Sequence, residues 1–443
     1  MVEPTGAPTT AGGAPCASAD SWREAVERFV PSRLLRLIGV GDVTAATLGA
    51  HAETRATVVF ADVRNFTRIS ESQESAETFA MLNEVFAALE RSIAVHGGVV
   101  DKFLGDGVMM LFREPGDAVA AAVAIVRDLR AFNVGRAQRG APAISMGIGV
   151  NTGIVSVGVV GTSERRETTV IGDAVNVAAR VQGLTRVIGC DVLIDEATHL
   201  HLGDAALAGC RFADRLMVKG RMRPVSVYEA FDGDVAALRE AKAASAARFN
   251  HATALFHLGR TADARALFEA CLALAPDDAG AAYYLRRIDA RLAPKALEVA
   301  GIEGGDGAFR WLPDYDTGHP RVDADHHALV AIYERLRGAV AGRDRAEIEG
   351  VLRALDAYAR DHFAMEEGLM RDVGYPLVTE HLEEHALYLA RLARLETRLL
   401  DPRIDVDVLH FDIELFLQDW LVAHSTKLDK HFVVYAAARA RAD

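Results

Sequence analysis

Nine of the fifteen histidines fall after residue 309, and several recur at helical spacing beside carboxylates. Residues 361–370 read DHFAMEEGLM. His362 and Glu366 are four apart and share one helix face, and the neighbouring Phe363, Met365, Leu369 and Met370 turn that face inward. A buried His–Glu pair needs a partner, and a metal is one of the few that satisfies both; a hydrogen-bonded pair in a helix core is the alternative. The pattern repeats in His381 and His385 of HLEEH, in His424 and Asp429 of HSTKLD, and in His326 of VDADHHAL. Residues 309–443 read as four helices, over 325–342, 346–372, 378–399 and 407–436, with short turns such as Gly374-Tyr375-Pro376. That is the pattern of an up-down four-helix bundle in which every helix sends a candidate ligand toward one axis. The donors argue against structural zinc, which usually takes cysteine, and the Glu-x-x-His spacing of ferritin-type sites is missing. Imidazole with carboxylate suits iron.

The rest of the 443-residue chain needs more than one core. Its formal net charge is −13 and no Lys/Arg-rich block occurs, which excludes a nucleic-acid-binding reading. Cys16, Cys190, Cys210 and Cys271 form no CxxC and read as free thiols of a reducing, cytoplasmic compartment. Residues 1–20 lack a basic start and an apolar stretch, and read as a disordered tail. The uncharged stretch 143–162 alternates apolar residues about Asn151-Thr152-Gly153. It predicts a β-hairpin with its turn there, and no membrane span.

Residues 21–53 predict short helices. Over 54–232 strands and helices alternate: TVVFADV (57–63), a helix over 77–97, the hairpin VVDKFLGDGVMMLF turning at Gly105-Asp106-Gly107, a helix over 116–138, the Gly-rich strands, and a helix from 173. The order is that of a split βαβ, a ferredoxin-like βαββαβ domain. Residues 233–300 are Ala-rich and helical, and ALFHLGRTADARALFEACLALAPDD is similar to one tetratricopeptide unit. A single helical pair cannot bury its own face, so this helical-hairpin linker must dock on a neighbour or couple domains. GIEGGDG, within a flexible linker over 301–308, precedes the bundle. The expected fold is therefore multidomain, α+β followed by all-α.

The bundle resembles the hemerythrin family over its whole length. DxxH at 323–326, HFxxEE at 362–367, HxxxH at 381–385 and WLxxHxxxxD at 420–429 match, as do Trp311, Tyr315 and Thr317-Gly318. The resemblance implies His326, His362, His381, His385 and His424 as terminal ligands of a non-haem di-iron centre, bridged by Glu366 and Asp429. Five histidines, two bridging carboxylates and one bridging oxygen leave one position of two octahedral irons open for dioxygen. His424 and Asp429 are five apart, about 140° around an ideal helix, so that helix must distort or Asp429 must reach sideways. Asp325 stands where the family usually has Gln, and His319 where Ile is common. The neighbouring His327 lies about 100° off the inward face.

Asp62 ends a buried strand and Asp106 sits at a hairpin tip, where alone it would be an ordinary turn residue. Two carboxylates on neighbouring strands can share metal ions, and Mg²⁺ prefers a few carboxylates with phosphate oxygens. In TTVIGDAVNVAAR, Asn176 and Arg180 are i, i+4 on a helix. FADVRNFT, DKFLGDGVMMLF, TVIGDAVNVAARVQGLT and VKGRMRPVSVYE, in that order over 55–232, resemble class III nucleotide cyclases. The resemblance implies that Asp62 and Asp106 hold two Mg²⁺ or Mn²⁺ ions, and that Asn176 orients the ribose. Arg180 would stabilise the pentavalent phosphorus, Lys219 would meet the terminal phosphates, and Phe66 and Thr67 would line the substrate. Lys102 and Thr169 occupy the base-selecting positions. Lys102 can donate to adenine N1 but opposes the protonated N1 of guanine, so ATP is the expected substrate. The family places its site between two subunits, and this chain carries both halves, which implies a homodimer. Together the two resemblances imply an adenylate cyclase governed by oxygen or redox state. A tethered oxygen or iron binder on a constitutive cyclase, or a guanylate cyclase, is the alternative.

Overall fold

The computed structural model describes residues 47–162, 165–217, 224–292, 311 and 313–441. The expectations for the tail and most of 21–53, for Cys16, Lys219 and the linker at 301–308, lie outside the described residues. The chain divides into two compact units, one of residues up to 53 with Ser156–Ile171, the other of Thr54–Val155 with Gly172–Asp443.

In the smaller unit, the end of β4 (Met146–Gly161) pairs antiparallel with β5 (Arg166–Ile171), in register from Ser156↔Ile171 to Gly161↔Arg166. Gly49 N–H donates to the Val159 carbonyl at 3.0 Å. The antiparallel partner of this part of β4 is thus β5, and the turn expected at Asn151-Thr152-Gly153 does not form: β4 runs straight through it. The polar residues that suggested a turn are instead interior. Asn151 Nδ2 donates to the Ala174 carbonyl at 3.0 Å, and the Thr152 hydroxyl lies 3.0 Å from those of Thr57 and Thr198. The Asn151 amide nitrogen and the Thr152 hydroxyl thus find partners in the interior, so the strand need not break.

In the larger unit, β1 (His51–Val63), β2 (Val99–Leu104), β3 (Gly107–Phe112), β4, β6 (Val192–Asp195), β7 (Cys210–Met217) and β8 (Pro224–Ala230) form a sheet in the order β2-β3-β1-β4-β6-β8-β7, with β5 paired to β4. Between them run α1 (Phe66–Glu71), α2 (Ser75–Val95), α3 (Pro115–Gln138), α4 (Asp173–Ile188), α5 (Glu196–Leu200) and α6 (Asp204–Leu207). One face of the sheet is covered by α2 and α3, through Met81, Val85, Leu89, Ala118, Ala122 and Ile125.

The segment after β8 forms α7 (Ala236–His257), α8 (Thr261–Leu274) and α9 (Ala279–Leu292), one helix more than a tetratricopeptide pair. It docks as the pair's unsatisfied apolar face requires: Phe249, Phe256, Phe268 and Tyr284 share a core with Val177 and Val181 of α4 and Val225 and Val227 of β8. A buried ion network fastens it. Arg211 Nη2 lies 2.5 Å from Asp278 Oδ1 and 2.7 Å from Glu229 Oε2, and Lys242 Nζ lies 2.7 Å from Glu229 Oε1 and 2.6 Å from Asp234 Oδ2. Those partners hold the Glu229 and Asp278 carboxyls below the usual carboxylate range even though burial pushes them up.

The bundle comprises α10 (Pro320–Ala341), α11 (Arg345–Val373), α12 (Val378–Leu400) and α13 (Val406–Ala423), then a π-helical turn (His424–Asp429) and α14 (Lys430–Arg439). Its core runs from Leu329 and Tyr333 through Leu352, Leu355 and Leu392 to Phe416 and Trp420. Val408, Phe411 and Leu415 of α13 belong to the same core as the sheet.

Candidate metal centres and active site

In the bundle, the seven residues marked by spacing come together, all buried. Their donor atoms form two four-residue groups: His326, His362, Glu366 and Asp429, and Glu366, His381, His385 and His424. The carboxylates divide between them. Glu366 Oε1 faces His362 Nε2 at 3.4 Å, and its Oε2 faces His385 at 3.4 Å and His424 at 3.6 Å. Asp429 Oδ2 faces His326 Nε2 at 3.0 Å, and its Oδ1 faces His424 at 3.1 Å and His381 at 3.2 Å. Two carboxylates that each give one oxygen to either group have the arrangement of bridges between two metal ions. The π-turn explains how His424 and Asp429 reach one axis from five positions apart: i→i+5 bonding brings such residues onto one face.

Glu366, Asp429, His326, His362 and His381 are buried and face chiefly one another at 3.0–3.9 Å, and their contacts do not meet hydrogen-bond geometry. Crowding that many buried donor atoms together without directed hydrogen bonds is costly, and cations answer the deficit. The donor set therefore fits iron. Burial and the neighbouring imidazoles push His385 down to about 4 and His424 to about 3, against the pull of Glu366 and Asp429, which keeps both rings neutral for ligation. Outer carboxylates orient two rings: His362 Nδ1 lies 3.2 Å from Asp325 Oδ2, and His385 Nδ1 3.4 Å from Glu367 Oε1. Neither role was visible in the sequence, although Asp325 lies next to His326 and Glu367 next to Glu366. The Tyr358 hydroxyl donates to the Asp325 carbonyl. His327 is exposed, 3.2 Å from Asp316, and takes no part.

On the sheet, Asp62 stands opposite Gly107 in the β1–β3 register, next to the hairpin tip that carries Asp106. A Cβ on Gly107 would come 3.1 Å from Asp62 Oδ1, so glycine leaves the carboxylate its space. Burial and the adjacent Asp106 raise the Asp62 carboxyl, with Arg186 opposing. A carboxylate pair held this way favours a bound cation. Asn65, at φ 59°, then turns the chain into α1, where Phe66 is half-buried against the core and Thr67 exposed. Lys102 Nζ lies 3.4 Å from Asp101 Oδ2, a fully covered carboxylate and a support that sequence reading had not singled out.

Asn176 and Arg180 are displayed differently. The helix α4 lies close on β4: a Cβ on Gly149 would stand 2.1 Å from the Gln182 backbone nitrogen. Ala174, Val177, Ala178 and Val181 bury one side of α4, leaving Asn176 exposed and Arg180 half-exposed on the other. Thr169 lies on β5, paired with Gly158. Asp62 senses Asp106 and Arg186, whereas Asn176 and Arg180 present themselves outward.

The sheet thus carries paired carboxylates at neighbouring strand ends, and the bundle two histidine–carboxylate groups suited to metal ions. The profile of the adenylate and guanylate cyclase catalytic domain matches residues 49–229, and that of the hemerythrin HHE cation binding domain matches residues 317–436. The chain thus carries a nucleotide cyclase catalytic domain over residues 49–229, followed by a hemerythrin domain over residues 317–436. An adenylate cyclase of Anabaena cylindrica is 38% identical over 213 residues, covering 46% of this chain and 42% of that protein. Adenylate cyclase 1 of Rhizobium meliloti (strain 1021) is 32% identical over 228 residues, covering 49% and 33%. The chain thus spans less than half the length of these curated relatives. Among solved structures, the adenylyl cyclase CyaB from P. aeruginosa is 30% identical, with a TM-score of 0.36, over 40% of this chain and 94% of that one. No helix among the described residues is long and apolar enough to cross a membrane.

Proposed function

We propose that the chain is an adenylate cyclase that converts ATP to 3′,5′-cyclic AMP and pyrophosphate, and that its di-iron domain sets the rate according to oxygen or redox state. The observation that carries the catalytic part is the Asp62–Asp106 pair, two adjacent carboxylates whose mutual repulsion a divalent cation relieves. Two Mg²⁺ or Mn²⁺ ions there would lower the barrier to in-line attack of the ribose 3′-hydroxyl on the α-phosphorus. Asn176 orients the ribose, Arg180 neutralises charge developing on the phosphorus, and Lys219 meets the departing phosphates. Phe66 and Thr67 border the phosphate side. Lys102 donates to adenine N1, and Thr169 accepts from the 6-amino group. A threonine hydroxyl also donates, so ATP is preferred over GTP without strict exclusion.

The outward display of Asn176 and Arg180 supports a site completed by a second copy of the chain. So do the exposed apolar residues Phe103 and Leu104 beside Lys102 and Ile171 beside Val170. The working form is then a homodimer with two sites, and the monomer is inactive. In the bundle, His326, His362, Glu366, His381, His385, His424 and Asp429 hold two irons. When bound there, the iron pair would supply reversible dioxygen binding with a two-electron change. The enzyme works in the cytoplasm, where ATP is available.

Competition between Mg-ATP and Mg-GTP tests the reading: cyclic AMP should dominate at equal concentrations, and cyclic GMP as the main product would replace it with a guanylate cyclase. Deleting residues 301–443 tests regulation, because a tethered, non-regulating bundle would leave the response to air unchanged by its removal.

A further inference from the structure

The turn of α12 that supplies two candidate iron ligands also grips the strand that carries Asp62. In the sequence HLEEH, His381 and His385 point into the bundle and are buried. Glu383 lies on the opposite side of the helix, Glu384 to the flank. Glu383 Oε2 meets Arg55 Nη2 of β1 at 2.6 Å, and Glu384 Oε1 lies 3.1 Å from His201 Nε2, just after α5. Arg55 Nη1 and His201 Nε2 are themselves 3.3 Å apart, so the four residues form one cluster. Arg55 is seven residues before Asp62 on the same strand, with Val58, Val59 and Ala61 buried between them. The same outer side of α12 continues onto the sheet domain, through Arg391 to Glu196 at 3.3 Å and Arg394 to Asp204 at 3.4 Å.

We propose that Glu383 and Glu384 are the coupling residues of the chain, transmitting a shift of the iron-bound turn of α12 through Arg55 and His201 to β1 and thereby to Asp62. The proposal rests on the reading of the bundle as a regulator and names the path that reading requires. The logic is mechanical. A change at iron held by His381 and His385 would move one helical turn, and a helix transmits such a displacement because its backbone hydrogen bonds hold it rigid. On the far side of that turn the nearest partners are Arg55 and His201. A buried strand in a close-packed sheet cannot absorb the displacement locally, so it passes along β1. Glu383 and Glu384 are positioning residues: they touch neither nucleotide nor metal.

The test uses the iron-loaded full chain in wild-type form and as the double variant Glu383→Gln, Glu384→Gln, which keeps shape and removes charge. Three quantities are read anaerobically and after air: iron content with its absorption spectrum, hydrogen exchange of the β1 amides, and cyclic AMP production. In the wild type, β1 exchange and rate should both change between states, the rate by roughly 5- to 150-fold. In the double variant, iron content, the spectral change and the basal rate should persist, while the β1 difference and the rate ratio collapse. Arg55→Glu should also uncouple, and Arg55→Glu combined with Glu383→Arg should restore the ratio. A double variant that keeps the full wild-type ratio and β1 difference overturns the path while leaving regulation standing. A wild type that shows neither response overturns regulation itself, and the path with it.

Discussion

The bundle and the sheet each gather carboxylates suited to metal, yet they do so in opposite ways. In the bundle, all seven donors come from one chain, are buried, and meet in two groups bridged by Glu366 and Asp429. On the sheet, Asp62 and Asp106 are only half-buried, and Asn176 and Arg180 face outward on α4. The first arrangement is made by the folding of one core. The second is left open, because catalysis needs access for substrate and, in the reading proposed above, a second chain. The contrast teaches that a buried, self-contained site can hold a cofactor through many cycles, while an exposed half-site can be switched by small changes in how two halves meet.

The largest effect should come from breaking the exposed site. Asp106→Ala should lower cyclic AMP production by about a thousandfold, equivalent to about 4 kcal/mol of barrier, with iron content unchanged. Undiminished turnover would remove Asp106 from the metal site. A sharper division of the two sites follows from mixing. Asp106→Ala and Arg180→Ala should each be inactive alone, yet mixed in equal amounts they should recover about a quarter of wild-type activity, because half of the dimers would hold one intact site. No recovery would mean that each chain builds its site alone.

The buried site should break through stability. Iron should raise the unfolding free energy of the bundle by about 4 kcal/mol at a thousandfold excess over its dissociation constant. Glu366→Ala should abolish that gain, read as the loss of the iron-dependent shift in melting temperature. The smallest effect concerns the docked helices α7–α9. Glu229 and Asp278 have lowered folded-state pKa values, set against burial by Arg211 and Lys242. Their stabilisation is complete above the unfolded carboxylate range of about 4 and is lost as pH falls from there through the lower folded values. Acid should therefore loosen these helices, seen as lost protection of their amides relative to the intrinsic exchange rate below about pH 4, and Arg211→Met should shrink that dependence, with Lys242 still holding Glu229.

Much of how both candidate sites are placed could be read from the sequence because the spacing of their residues follows local periodicity. The i, i+4 spacing of His362 with Glu366 and of His381 with His385 survives folding unchanged, as does the hairpin that presents Asp106. What the sequence hid depended on tertiary partners. Asn151 and Thr152 looked like turn residues because polar side chains in an apolar run usually mark a turn, but Ala174 pairs the Asn151 amide nitrogen, and Thr57 and Thr198 the Thr152 hydroxyl, inside a strand. The π-turn at His424–Asp429 could be stated only as a distortion required by a five-residue spacing. Nothing local in HLEEH indicates that Arg55, more than three hundred residues earlier, lies against Glu383.

The most direct test follows a single iron-loaded preparation in which cyclic AMP production from Mg-ATP is measured anaerobically in the reduced state and again after air is admitted, with the iron absorption recorded throughout. A rate that changes in step with the spectrum is the expected result and would give the sign of regulation. A spectrum that changes while the rate stays constant would contradict it, leaving a cyclase and an oxygen-binding bundle that share a chain without controlling one another.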